Sequence, residues 1–196
     1  MEVVEIDTSY PPADSGEERS EGLHLTDIVK SIEKDMGWDY KGKGFQDREL
    51  TMDLGFTWEQ VLSTAHADRR QMIRPGEVEK DGITGSPDGI GPNPGLQDDD
   101  GDWLVEPSKE IILFEHKLTW KSSKNVMTSN WYYLTQGKSY CAMTGMKVVF
   151  WELVYLNGNY RGSGPLYRKC WVRFDDDEIK RNWEMIVTHA QEKGWL

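Results

Sequence analysis

Glu115 and Lys117 stand two residues apart in the run Ile111-Ile112-Leu113-Phe114-Glu115-His116-Lys117-Leu118, whose apolar character marks it as a β-strand. Side chains alternate between the two faces of a strand, so the carboxylate and the ammonium share a face with Ile111 and Leu113. Apolar residues precede both charges, which places the strand centrally in its sheet, where unpaired charge is costly. Asp88 lies upstream in Ser86-Pro87-Asp88-Gly89-Ile90. Pro and Gly there punctuate a turn between two short β-rich pieces, and a hairpin at that point brings Asp88 beside Glu115. Two acidic oxygen donors and one cation then meet at one spot. That set suits metal-assisted attack of water on a phosphodiester. Mg²⁺ or Mn²⁺ takes hard oxygen ligands, and Asp88, Glu115 and the backbone carbonyl of His116 supply three of them. Lys117 would orient or help deprotonate the attacking water, or offset the charge growing on the phosphate. Each residue alone also has a plainer reading, Asp88 as a turn former and Glu115 with Lys117 as a salt bridge on a sheet face. Their combination favours the catalytic one.

The rest of the chain has to position this set. Residues 1–22 lack periodicity and carry Pro11, Pro12, Gly16 and a charge cluster, so they read as an extended or flexible arm. Residues 23–196 form one domain. From Thr26, an N-cap candidate, Ile28, Val29, Ile32 and Met36 recur at helical spacing until Gly37. After the Gly-broken segment WDYKGKGF, a second helix is expected from about Gln46 to His66, with Leu50, Leu54, Trp58, Val61, Leu62 and Ala65 as its apolar stripe. Short strands then precede an acidic loop around Asp98 to Asp102, which lacks EF-hand spacing and reads as solvated. A helix from about Asn125 to Thr144 stops at Gly145. Strands follow over Lys147 to Leu156 and Leu166 to Phe174, and Asp175 to Asp177 cap a last helix. This order predicts an α/β fold, a single domain with a central mixed β-sheet flanked by helices.

Composition narrows the partners. The chain has 196 residues, a mass of 22.6 kDa and a formal net charge of −11, which argues against a general nucleic-acid coating protein. Much of the acid sits in Glu17 to Glu21, Asp98 to Asp102 and Asp175 to Glu178. A phosphate backbone would have to be held locally, and Lys117, Lys121, Lys124 and Lys138 are the nearest cations in sequence. No apolar run approaches the roughly 20 residues of a membrane helix. The start MEVVEIDTSYPP has neither a basic n-region nor an apolar h-region, so a cytoplasmic protein is expected. Cys141 and Cys170 lack metal-ligand spacing and read as free thiols, too few for an iron–sulfur cluster.

Pro87-Asp88 with Glu115-His116-Lys117 resembles the signature of the PD-(D/E)xK nuclease superfamily. Gly55-Phe56-Thr57-Trp58-Glu59 resembles the first motif of its RecB-like and lambda-exonuclease-like branches, and Gln136-Gly137-Lys138-Ser139-Tyr140 matches the QxxxY motif of RecB-like nucleases. The resemblance spans roughly residues 55–140 and implies a restriction-endonuclease-like core. It implies a divalent-metal-dependent deoxyribonuclease of the type coded by bacteriophages, an exonuclease in viral DNA recombination, repair or processing. Such a protein would work in the host cell cytoplasm. Glu59 would face the metal site as a second-metal or water-mediated ligand. Gln136 would hydrogen-bond near Lys117 or DNA, Tyr140 would touch the DNA backbone or a base, and Lys121 would bind substrate. The expected cofactor is Mg²⁺ or Mn²⁺ and the expected partner is DNA, with no membrane. A homo-oligomer and a recombination or replication protein stay open as further partners. An endonuclease, or a non-catalytic nucleic-acid-binding or interaction protein on the same fold, is the alternative.

Overall fold

The computed structural model describes residues 20–38, 48–162 and 164–196. In chain order the elements are β1 (Leu23–His24), α1 (Leu25–Asp35), α2 (Arg48–Arg70), β2 (Val78–Lys80), β3 (Ile83–Gly85), β4 (Gly89–Pro92), β5 (Leu96–Gln97), β6 (Trp103–Val105), β7 (Ile111–Thr119), α3 (Trp131–Thr144), β8 (Val148–Tyr155), β9 (Leu166–Arg173) and α4 (Asp176–Glu192). Every residue of β8 is buried, as a strand covered on both faces requires. It lies inside a four-stranded sheet of order β4-β7-β8-β9, antiparallel, parallel and antiparallel across its three pairs. This mixed sheet, with helices packed around it, is the α/β single-domain architecture that the pattern predicts. β1, β3 and β2 form a smaller sheet, and β5 pairs with β6.

Two cores follow from the alternation of side chains. Leu113, Val149, Trp151, Leu153 and Tyr155 pack with α1, α3 and α4 through Ile28, Val29, Tyr140, Trp183 and Ile186. Ile112, Phe114, Val148 and Phe150 point the other way and pack with Met72, just beyond α2. Each fully buried large side chain contributes about 2 kcal/mol of transfer free energy. Helix α3 lies unusually close to β8, because a Cβ on Gly137 would come within 2.6 Å of the Trp151 ring. Gly145, in the left-handed region at φ 76°, ends that helix. At α4, Asp175 and Glu178 exchange side-chain to backbone bonds as a full capping box.

Several boundaries differ from expectation. Helix α1 starts at Leu25, with His24 and not Thr26 at its N-cap. The cause is tertiary, since Leu23 and His24 are already paired in parallel with Ile83 and Thr84. Helix α3 starts at Trp131 with Asn130 as cap, after a short 3-10 turn at Met127–Ser129. Helix α2 runs on to Arg70. Of its expected stripe Leu62 is buried while Leu54 and Val61 face solvent; the side chain of Ala65 lies outside the described residues. So do the start at Gln46, residues 39–45 of the WDYKGKGF segment, and residues 1–19 of the arm.

Candidate active site

The site forms where β4 stops and β7 continues. Gly89 is opposite Phe114, so Asp88, one residue earlier, falls opposite Glu115 and on the same face. Beyond Phe114 the edge of β7 facing β4 has no strand partner among the described residues, and Asp88 takes its place: the His116 N–H donates to Asp88 Oδ2 at 2.7 Å. A strand residue sends its N–H and its C=O to the same edge, so the His116 carbonyl also faces the Asp88 side. The His116 side chain goes to the opposite face, where Nδ1 lies 3.9 Å from the Glu152 carboxylate, itself accepting from the Tyr167 hydroxyl.

Lys117 joins the two acids. Its Nζ is 2.7 Å from Glu115 Oε2 and 3.6 Å from Asp88 Oδ2. Glu115 is only 1% exposed, whereas the Lys117 side chain retains 17% and opens the site to solvent. Burial and the neighbouring Asp88 carboxylate push the Glu115 carboxyl up to about 8 against the pull of Lys117. Burial works against the Lys117 ammonium, but Glu115 and Asp88 outweigh it and hold its pKa well above the ordinary lysine value.

Helix α2 packs against β7 and β4, and Glu59 comes from it into the same field. Burial first, then the Asp88 charge, push the Glu59 carboxyl up to about 7, while Lys117 and Arg74 counter the rise. Arg74 Nη2 holds Glu59 Oε2 at 2.9 Å. This arginine carries no motif and sits just after α2, so no sequence signal pointed to it.

Gln136 and Tyr140 reach the site from the other direction. Gln136 Nε2 donates to the Tyr140 hydroxyl at 3.1 Å, and that hydroxyl donates to the Ser86 carbonyl at 3.2 Å. The pair therefore anchors the turn that presents Asp88, and at 2% exposure Tyr140 has almost no surface left for DNA. Gly85 permits this approach, since a Cβ there would lie 2.8 Å from the Tyr140 ring. Lys121 is exposed at the end of β7, 5.7 Å from the centre of the Tyr133 ring. Beside it, burial pushes the Tyr132 hydroxyl up to about 12 while Lys117 draws it down. Tyr132 and Tyr133 at the start of α3 thus lie within electrostatic reach of Lys117, a placement that two aromatic residues in a helix do not announce. Two clefts of about 520 and 450 Å³ lie elsewhere, lined by other residues.

The donors present fit a hard divalent cation. Glu115 Oε1 is buried without a hydrogen-bond partner among the described residues, a costly condition that a cation would relieve. Burial first, and then the Asp88 charge, drive the Glu59 and Glu115 carboxyls up to about 7 and 8 against the pull of Lys117 and, at Glu59, of Arg74. Among the described residues no three His, Cys, Asp or Glu side chains close into a ready cage. The set is an open one of two carboxylates and a carbonyl, with Glu59 within their electrostatic reach, as suits an ion that keeps several of its waters.

No family model matches the chain, and no curated protein sequence matches it. Solved structures do. An alkaline exonuclease (LHK-Exo) from Laribacter hongkongensis superposes with a TM-score of 0.52 at 16% identity, over 87% of each chain. The structure of LHK-Exo in complex with dAMP gives a TM-score of 0.53 at 14% identity, again over 87% of each chain. The fold of this chain is therefore similar, over nearly its whole length, to that of an alkaline exonuclease.

Proposed function

We propose that this chain is a divalent-metal-dependent deoxyribonuclease, an exonuclease that hydrolyses DNA phosphodiester bonds in viral recombination, repair or processing. The observation that carries the reading is the meeting of Asp88, Glu115 and Lys117 at the open end of the β4–β7 pair. Fold likeness supports it, since LHK-Exo is an alkaline exonuclease and was captured with dAMP, a mononucleotide such as an exonuclease releases.

Asp88, Glu115 and the His116 carbonyl would hold Mg²⁺ or Mn²⁺, with Glu59 as an outer or second-ion ligand. A cation bound there supplies Lewis acidity at the phosphate and acidifies a water. The chain's own residues do the rest. Lys117, 2.7 Å from Glu115 Oε2 and 3.6 Å from Asp88 Oδ2, is placed to orient or help deprotonate the attacking water, or to offset the charge growing on the phosphate. Gln136 and Tyr140 keep the Asp88 turn in register from within, and Lys121 meets the substrate at the rim.

Purified protein incubated with linear and circular, single- and double-stranded DNA tests this directly. Linear DNA should disappear with Mg²⁺ or Mn²⁺ and survive in EDTA. Full activity in EDTA would end the metal reading. Cleavage of circles would make the enzyme an endonuclease, and binding without cleavage would make it a non-catalytic binder.

A further inference from the structure

The net charge of −11 conceals a segregation. Between Lys117 and Asp175 the sequence contains one acidic residue, Glu152, against eight lysines and arginines. Glu152 is fully buried, so the surface of this stretch carries no carboxylate. Several of its cations are engaged, Lys147 with Asp176 and Arg173 with Glu110. Lys121, Lys124 and Arg161 are exposed, and none makes an ion pair among the described residues.

These three belong to two segments joined at the end of β7 that leads out of the site. The segment after β7 carries Lys121 and Lys124, and the β8–β9 connection carries Arg161. Ser123 N–H donates to the Gly158 carbonyl at 2.8 Å, and Leu156 N–H donates to the Thr119 carbonyl at 2.9 Å. The Tyr160 hydroxyl donates to the Trp120 carbonyl. Arg168 Nη2 donates to the Ser123 carbonyl at 3.0 Å, with its guanidinium over the Tyr155 ring, and the Tyr155 hydroxyl donates to the Asn125 carbonyl at 3.2 Å. The two segments are thus tied into one surface at several points. Among the described residues, Glu33 of α1 lies within electrostatic reach of Lys121, its carboxyl raised by burial and drawn down by that lysine. Tyr160, 60% exposed at the hairpin tip, adds an aromatic face among the cations.

Resting on the nuclease reading above, we infer that the joined loops at the exit of β7 form a phosphate track. Lys121, Lys124 and Arg161 hold the backbone of a DNA strand as it reaches Lys117, and the Tyr160 ring offers a base a stacking surface. Free cations on a pinned surface supply the sequence-independent, salt-sensitive attraction that the whole molecule's charge opposes. Arg168 is a positioning residue here, spent on the loop and not on the strand.

The test is equilibrium binding of full-length protein to a labelled DNA duplex in EDTA, read by fluorescence anisotropy across a salt series, so that cleavage is not involved. The triple variant Lys121→Ala, Lys124→Ala, Arg161→Ala should bind at least about 10-fold more weakly at low salt. Its slope of log affinity on log salt should fall by about 2 to 3, near 0.9 for each phosphate contact removed. A control with the same charge change elsewhere, Lys34→Ala, Lys109→Ala, Arg181→Ala, should lose less than about 3-fold, and Arg161→Lys should retain most affinity. Equal losses in both triples, an unaffected site triple, or no duplex binding by the unaltered protein would overturn the track. Binding that follows this pattern without cleavage in Mg²⁺ or Mn²⁺ would leave the track standing and remove the nuclease reading. Cleavage that is indifferent to the site triple would do the reverse.

Discussion

At Asp88 one carboxylate does two things: it fills the vacant edge of β7 at the His116 N–H and it adds negative charge beside Glu115 and Glu59. Substitution should separate chemistry from folding. Asp88→Asn, Glu115→Gln and Lys117→Ala are each expected to cut cleavage by about 100-fold or more. Their melting behaviour should differ: Glu115→Gln removes repulsion and should melt no lower than the unaltered metal-free protein at pH 8, whereas Lys117→Ala leaves two carboxylates without their counter-charge and should melt lower. A Lys117→Ala protein that cleaves normally would end its assigned role. The pH dependence has a definite sign. The Glu59 and Glu115 carboxyls titrate near 7 and 8 in the fold instead of at 4.5, so the folded state binds more protons than the unfolded one between those limits. Stability in EDTA should therefore fall as pH rises from about 5 to about 8 and then level off. Asp35, lowered by its Lys193 partner from 3.8, titrates below that window, and Lys117 above it. Saturating Mg²⁺ or Mn²⁺ should flatten the decline, because a cation replaces the protons. Thermal melts at pH 5, 6.5 and 8 with and without metal check this, and a melting temperature in EDTA that climbs over the window would contradict it.

Helices and strands were legible where one local rule decided them. The continuous apolar run of β8, the Gly145 stop of α3 and the Asp175 cap of α4 all stand where pattern and capping chemistry put them. Asp88, Glu115 and Lys117 also come together, though not through the hairpin expected at Ser86–Ile90: β3 and β4 belong to different sheets, and Asp88 reaches Glu115 because β4 pairs with β7 across the long 93–110 connection. What escaped was whatever only distant contact creates. Two-residue β1 has no periodicity to read, yet its pairing with β3 moves the start of α1. Arg74 on Glu59, and the Gln136–Tyr140–Ser86 relay, join segments that nothing in the sequence aligns. That relay makes α3 a brace for the Asp88 turn, so Tyr140→Phe should weaken metal binding and turnover together more than it weakens DNA binding, measurable by metal titration and by anisotropy. The seat of α3 on β8 is tighter still. Gly137→Ala sets a Cβ 2.6 Å from Trp151 and should cost about 1 to 3 kcal/mol in urea unfolding. Asp175→Ala, which removes the α4 cap, should cost about 1 kcal/mol.

Across the described residues the charges are unevenly placed, and composition alone hid this by averaging them. The acid collects in places such as the β5–β6 connection, where Asp98, Asp99, Asp100 and Asp102 are all exposed, while the stretch from β7 to β9 presents cations. Exposed charges separated by more than a Debye length, about 10 Å at 0.1 M salt, interact weakly, but at lower salt such a loop repels an approaching phosphate chain. Its aspartates are not equivalent. Asp98 Oδ1 accepts the N–H groups of Asp100 and Asp102 at 3.1 and 2.9 Å, so Asp98 shapes the turn, whereas nothing comparable is asked of the side chains of Asp99, Asp100 and Asp102. Changing those three to Asn and keeping Asp98 should leave stability within about 0.5 kcal/mol. Duplex affinity at about 50 mM salt should rise by roughly 2- to 5-fold, with the gain gone near 0.5 M, where screening is short. Turnover at saturating DNA should not move, since the loop lies outside the site. A gain that persists at high salt would point to new direct contacts instead of relieved repulsion, and a change in saturated turnover would place this loop in the catalytic path.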